Sequence, residues 1–228
     1  EVQLLADENH QVVCLGEREC SIQKHNQKLL EETPSPSVSP ETRSRLIEAG
    51  ILAAKAVGYV NAGTVEFLMD ESGNFYYMEM NVRLQVEQAV TELVTGIDMV
   101  KWQIRIAAGV HLDFGQPDIR FRGSSIECRI NAKASGKVNF LHIPGGPFVR
   151  FDTCLWDGYV VPPYYDSLLG KLVVQAGTRE EAVRKMRAAL CELVIDGVPN
   201  NIEDQIAIID SQDFRKGTYN LNFFQNAR

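Results

Sequence analysis

The sequence predicts an α+β protein: an antiparallel sheet with packed helices over residues 1–115, then a second α+β unit over 116–228. Three observations predict this class. Strand-like runs come in pairs separated by tight-turn residues. Apolar side chains recur at helical spacing behind capping residues. In the second half strands come first and helices follow, an order suited to an α+β unit.

Residues 1–6 and 11–15 read as a β-hairpin around Asp7 to His10. Residues 17–32 contain the polar cluster Gln23, Lys24, His25, Asn26, Gln27 and Lys28, which by composition reads as a solvated loop. Residues 33–40 are a Pro/Ser-rich connector. Ser39 suits an N-cap with Pro40 at the first helical position. Leu46, Ile47, Ile51, Ala54 and Val57 follow at helical spacing, and Gly58 can close that helix.

Residues 64–69 and 75–81 read as two strands joined by Glu71-Ser72-Gly73-Asn74, a turn built on Gly and Asn. Centring the hairpin on Ser72-Gly73 sets Glu66 directly opposite Glu79, with Cβ atoms roughly 4.5–5.5 Å apart. Side chains alternate along a strand, so Glu79 and Asn81 share a face. If the alternation persists, Arg83, Gln85 and Glu87 join that side. Two carboxylates so close repel unless a cation bridges them. Two Glu and an Asn offer hard oxygen ligands of the kind Mg²⁺ or Mn²⁺ accepts. The other reading is a solvent-facing hairpin edge with ordinary charges, and spacing alone leaves both open.

Asp98 suits the cap of a further helix with Val100, Ile104 and Ala107 apolar, ending at Gly109; Trp102 is expected to pack. Residues 109–123 are a loop-rich crossing that marks the boundary. Residues 125–131, 147–152 and 171–175 read as strands. Thr178 and Glu181 fit a capping box, opening a helix with Ala182, Val183, Met186, Leu190 and Leu193 as its stripe. Asn201 opens another with Ile202, Ile206 and Ile209.

The chain has 228 residues, 45% hydrophobic, with a formal net charge of −7. Such a charge argues against a nucleic-acid surface. No apolar run is long enough to span a membrane and no signal peptide is visible, so a cytoplasmic setting is expected. Cys14, Cys20, Cys128, Cys154 and Cys191 show no CxxC spacing, so reduced, mostly buried thiols are expected. The chain opens at Glu1 inside a strand-like run, as a trimmed polypeptide would.

GTVEFL followed by FYYMEMNVRLQVEQAVTE resembles the metal and biotin segment of biotin carboxylases, members of the ATP-grasp superfamily. ERECSIQKHNQKLLEE resembles their nucleotide-site segment. SIECRINA and GYVVPPYYDSLLGKL resemble their C-terminal region. The resemblance runs end to end. It implies the second half of an ATP-grasp fold followed by the biotin carboxylase C-terminal subdomain, with an amino-terminal half that this chain lacks, so the piece alone is expected to be inactive.

Such enzymes use ATP to activate bicarbonate as carboxyphosphate and transfer the carboxyl group to N1 of biotin. The resemblance implies that Glu66 and Glu79 hold Mg²⁺ or Mn²⁺ with Asn81 beside them, and that Gln23, Asn26 and Lys28 face the nucleotide. It implies that Arg83 stabilises negative charge developing on biotin and that Glu87 is the base for bicarbonate. Gln85 and Val86 would hold bicarbonate, Arg129 would bind bicarbonate and the biotin ureido group, and Asp166 would either shape the biotin site or fix its loop. Tyr164 and Tyr165 are expected to pack. Implied partners are a biotin carboxyl carrier, a carboxyltransferase component and a second copy in a homodimer. The final acceptor, whether acetyl-CoA, propionyl-CoA or pyruvate, is left open.

The chain departs from the family in three places. Asn26 stands where most relatives have His, and an amide donates a hydrogen bond without carrying charge. Gln88-Ala89 stands where relatives have His-Pro. Lys133, Ala134 and Ser135 replace a longer loop, and a missing stretch is expected there over a natural shortening. Two other classes stay open: a carbamoyl-phosphate synthetase-like ATP-grasp ligase, and a non-catalytic dimerisation module.

Overall fold

The computed structural model describes residues 1–226. In chain order it contains β1 (Val2–Ala6), β2 (Val12–Glu17), β3 (Glu19–Lys24), β4 (Gln27–Thr33), α1 (Pro40–Ala56), β5 (Asn61–Met69), β6 (Phe75–Asn81), α2 (Gln88–Thr95) and α3 (Met99–Ala107). Then follow β7 (Ser124–Asn131), β8 (Gly136–Lys137), β9 (Phe140–His142), β10 (Val149–Thr153), β11 (Val160–Val161), β12 (Leu168–Ala176), α4 (Arg179–Glu192), β13 (Val194–Asp196), α5 (Ile202–Asp210), α6 (Gln212–Lys216) and α7 (Phe223–Asn226). The described residues form two compact units, 1–19 with 33–122, and 20–32 with 123–226. The sequence reading leaves residues 20–32 with the first half; by packing they belong with the second.

The first unit is built on the sheet β2-β1-β5-β6, antiparallel throughout. Strand β1 lies between two neighbours and has both faces covered, so every one of its residues is buried. Val2, Leu4 and Ala6 join Leu46 and Ala54 of α1 on one side. Leu5 joins Met99, Trp102 and Ile106 of α3 on the other. Burying one such Leu or Val side chain contributes about 1.5–3 kcal/mol. Helix α1 approaches closely because residue 50 is Gly: a Cβ there would lie 2.5 Å from Val2 Cγ2.

Ser39 caps α1 as its sequence implies, its side chain accepting from the Thr42 N–H, and Gly58 follows the helix at φ +59°. Val57, expected on the buried stripe, is 69% exposed because the helix has ended at that point. Asp98 caps α3, but the buried face is Met99, Trp102 and Ile106 while Val100 and Ile104 are exposed. The stripe is therefore rotated from the expected one. Trp102 fixes the rotation, packing edge-on against Phe114 with the Arg105 guanidinium 4.1 Å from its ring centre. Helix α2 is not foreseen in the sequence. It has no side-chain cap bond at its start and closes on Gly96 at φ +73°.

The second unit is built on the sheet β10-β12-β7-β4-β3. The polar cluster read as a loop is the β3–β4 hairpin. His25 and Asn26 both take positive φ, 53° and 60°, which two-residue hairpin turns demand and Asn and His tolerate. Ile126, Cys128 and Ile130 of β7 and Leu172 and Val174 of β12 form one core with Ala182, Met186 and Leu190 of α4. Alternation turns Glu127 and Arg129 of β7 to the opposite face. There Arg129 pairs with Glu31 of β4 at 2.6 Å, and Lys171 of β12 lies 4.0 Å from Glu127 and 3.6 Å from Asp152. Thr178 and Glu181 form the expected capping box, a contribution of about 1 kcal/mol.

In the link after β7 the Lys133 N–H donates to the Pro199 carbonyl at 2.7 Å. Tyr164 and Tyr165 do not pack: both are more than four-fifths exposed. The cysteines are free but not mostly buried, since Cys154 and Cys191 are exposed and Cys20 is half-buried. Burial pushes the Cys14 thiol up to about 12, keeping it neutral. Among the described residues no helix is long and apolar enough to cross a membrane.

Candidate active site

The site in the first unit grows from the β5–β6 hairpin. Its turn is pinned by Asp70, whose Oδ1 accepts from the Ser72 and Asn74 N–H groups at 3.0 and 2.9 Å. The side-chain hydrogen bond from Asn74, with the backbone bonds, holds the Asp70 carboxyl below its usual range. Outward of the site the register runs Met69↔Phe75, Leu68↔Tyr76 and Phe67↔Tyr77. Carried on unchanged, that register would set Glu66 against Met78. A bulge takes up Met78 as an extra residue and restores Glu66↔Glu79. The expected pairing is therefore correct, while the turn centre assumed for it lies half a residue too far along. Bulges re-aim side chains beside sites in this way.

The Asn81 Nδ2 donates to Glu66 Oε1 and to Glu79 Oε1, each at 3.1 Å. The two carboxylates thus converge on one nitrogen, on one face of the hairpin. Gln85 Nε2 donates to the same Glu66 oxygen at 2.8 Å, and Arg83 Nη2 donates to Asn81 Oδ1 at 3.2 Å. Glu79 and Arg83 are exposed, Glu66 and Asn81 half-buried, and Gln85 buried. The donor set fits a hard divalent cation. Carboxylate oxygens from both strands converge at one point, where the Asn81 Nδ2 now sits between two negative charges while its Oδ1 accepts from Arg83.

After Asn81 the strand ends, so alternation does not carry Gln85 and Glu87 forward as assumed. They are positioned by a turn, in which the Gln88 N–H donates to the Gln85 carbonyl at 3.3 Å. That turn leads into α2. Glu87 is 2% exposed and stands at the N-terminal boundary of α2, where the helix dipole favours a carboxylate. Val86 between them is half-buried.

Gln23, Asn26, Lys28, Arg129 and Asp166 lie in the second unit. Gln23 is on β3 with its Nε2 donating to the Cys20 carbonyl at 2.9 Å. Asn26 is exposed in the hairpin turn and Lys28 is half-buried on β4. Arg129 is held by Glu31, its Nε donating to Oε1 at 2.7 Å. Asn201 Nδ2 and Gln205 Nε2 both donate to the Arg129 carbonyl, at 3.0 and 2.9 Å, and fix its backbone. Asp166 Oδ1 accepts from the Leu168 N–H at 3.0 Å, a loop-fixing bond.

Sequence reasoning missed Arg18. Its side chain is wholly buried and reaches the back of this site. The only sequence signal is an Arg inside a polar run, which does not distinguish it from a solvated one.

Residues 1–114 match the family model for the carbamoyl-phosphate synthase L chain ATP-binding domain, and residues 127–226 match that for the biotin carboxylase C-terminal domain. Biotin carboxylase 2, chloroplastic, of Populus trichocarpa is 49% identical over 98% of this chain and 44% of its own length. The biotin carboxylase of Haemophilus influenzae is 46% identical over 99% of this chain and 52% of its own. The biotin carboxylase domain dimer of the Hydrogenobacter thermophilus 2-oxoglutarate carboxylase, solved with MgADP, ADP and bicarbonate, superposes with a TM-score of 0.96 at 47% identity. That comparison covers 98% of this chain and 51% of the solved one. The chain therefore spans about half the length of the relatives it matches. The two family models together with these relatives show that the chain belongs to the biotin carboxylase family.

Proposed function

We propose that the protein carrying this chain carboxylates biotin on a biotin carboxyl carrier, using ATP and bicarbonate with Mg²⁺ or Mn²⁺. The observation that carries this reading is the convergence of Glu66 and Glu79 on Asn81, with Gln85 bonded to the same carboxylate. A divalent ion bound to Glu66, Glu79 and Asn81 would supply charge neutralisation for the nucleotide phosphates. Gln23, Asn26 and Lys28 contact the nucleotide in this reading, with Asn26 donating a neutral hydrogen bond.

Arg83 is exposed and carries a fixed positive charge, suited to stabilising an oxyanion on the biotin ureido group. Gln85 and the Val86 N–H hold bicarbonate. Glu87 removes its proton. Burial isolates that carboxylate from bulk water, and the start of α2 orients it. Arg129, steadied by Glu31, binds bicarbonate and the biotin ureido group, and Asp166 fixes its own loop.

A carrier protein or domain, a carboxyltransferase and a second copy are the proposed partners. The Hydrogenobacter dimer supports the last of these. A cytoplasmic setting fits the free cysteines. The final acceptor is chosen by the carboxyltransferase, outside this chain.

The test is phosphate release by the full-length protein with Mg²⁺, ATP and bicarbonate, with and without free biotin. Biotin-stimulated release that stops on omitting bicarbonate is the expected result. ATP turnover indifferent to biotin but dependent on an ammonia donor would transfer the protein to the carbamoyl-phosphate class.

A further inference from the structure

The side chain of Arg18 is fully buried and presents its guanidinium to oxygens of Glu1, Gln3, Thr64, Gln85 and Thr91 in the first unit. Its Nε donates to Glu1 Oε1 at 2.5 Å. Its Nη1 donates to Gln3 Oε1 at 2.7 Å and Thr91 Oγ1 at 3.1 Å. Its Nη2 donates to Gln85 Oε1 at 3.1 Å and Thr64 Oγ1 at 3.4 Å. These acceptors come from Glu1, β1, β5, α2 and the turn after β6, so one planar group ties together the elements that carry the site.

The bond to Gln85 has a chemical consequence. An amide has one accepting end and one donating end. A guanidinium is always charged and has no acceptor, so it fixes the Gln85 oxygen toward itself. The Gln85 nitrogen must then face the other way, where it donates to Glu66 Oε1 at 2.8 Å. Turning the amide over would set N–H against N–H on one side and oxygen against carboxylate on the other. Thr64 lies two residues before Glu66 on β5 and also accepts from Arg18, which anchors the strand at that point.

We propose that Arg18 is a positioning residue for the divalent-cation site, acting through Gln85 to set the orientation of the Glu66 carboxylate. The proposal rests on the cation-site reading given above. Partners that orient a metal ligand without touching the metal are worth 10–100-fold in metal affinity. A purely structural role for Arg18 would lower stability without passing through Gln85.

The experiment is equilibrium Mn²⁺ binding to the full-length protein, read by the spin-resonance signal of free Mn²⁺, for wild type, R18M, Q85L, the double variant and E79A, with melting temperatures in parallel. R18K replaces R18M if the latter does not fold. R18M and Q85L are each expected to weaken Mn²⁺ binding about tenfold or more, and the double variant no further than Q85L. Losses from R18M that are equal in the wild-type and Q85L backgrounds would overturn the proposal. So would a lowered melting temperature with unchanged Mn²⁺ affinity. Wild-type protein that binds no Mn²⁺, or binds it undiminished after E79A, would overturn the cation-site reading itself, a distinct failure.

Discussion

Glu79→Ala in the full-length protein is expected to lower biotin-dependent ATP turnover about 10²–10³-fold, the loss typical of removing one fixed electrostatic contact to a transition state. The side chain is exposed and its one described partner is Asn81 Nδ2. Stability should therefore stay within about 0.5 kcal/mol of wild type. That separation makes the variant informative: activity falls while the melting curve does not move. Glu66→Ala is a poorer instrument. Its carboxylate also receives Gln85, so its removal disturbs a buried amide. A Glu79→Ala protein with wild-type turnover would remove the hairpin from the chemistry.

Glu87→Gln is expected to lower kcat about 10²–10⁴-fold, the range for losing a positioned general base. Gln has nearly the same shape, so the packing around this buried position is retained. The KM for ATP should change little, because in the proposed arrangement Glu87 meets bicarbonate and not the nucleotide. Initial rates at varied bicarbonate and varied ATP separate these effects. An unchanged kcat would reject Glu87 as the base, and a raised ATP KM at constant kcat would give it a binding role instead.

The parts of this fold legible in the sequence are those governed by local rules. Ser39-Pro40 and Thr178 with Glu181 cap their helices because capping is settled within one turn of chain. The Glu66↔Glu79 pairing is foreseen only because two deviations cancel: the turn is centred half a residue earlier than assumed, and the bulge at Met78 shifts the register back. What stays hidden depends on contacts distant in sequence. Trp102 sets the rotation of α3 through Phe114, and periodicity alone picks the wrong stripe, Val100 and Ile104.

The β3–β4 hairpin is hidden because its turn is His25-Asn26, where a Gly would have announced it. Tyr164 and Tyr165 mislead for the reverse reason: large aromatic rings suggest packing, yet their loop offers them none. The bulge at Met78 leaves no composition signal at all. Arg18 is the sharpest case, since burial of a guanidinium depends on acceptors drawn from Gln3, Thr64, Gln85 and Thr91.

The second unit's sheet turns Glu127, Arg129 and Lys171 away from its apolar core and sets them beside Glu31 and Asp152. Glu31 and Glu127 are wholly buried. Neutralising one member of such a pair strands the other in a dry setting, a penalty of about 3–5 kcal/mol, whereas exchanging both for apolar residues of similar volume is often neutral. Over generations, these positions are therefore locked to one another. A single change at either site is the costly step, and the paired change the cheaper one.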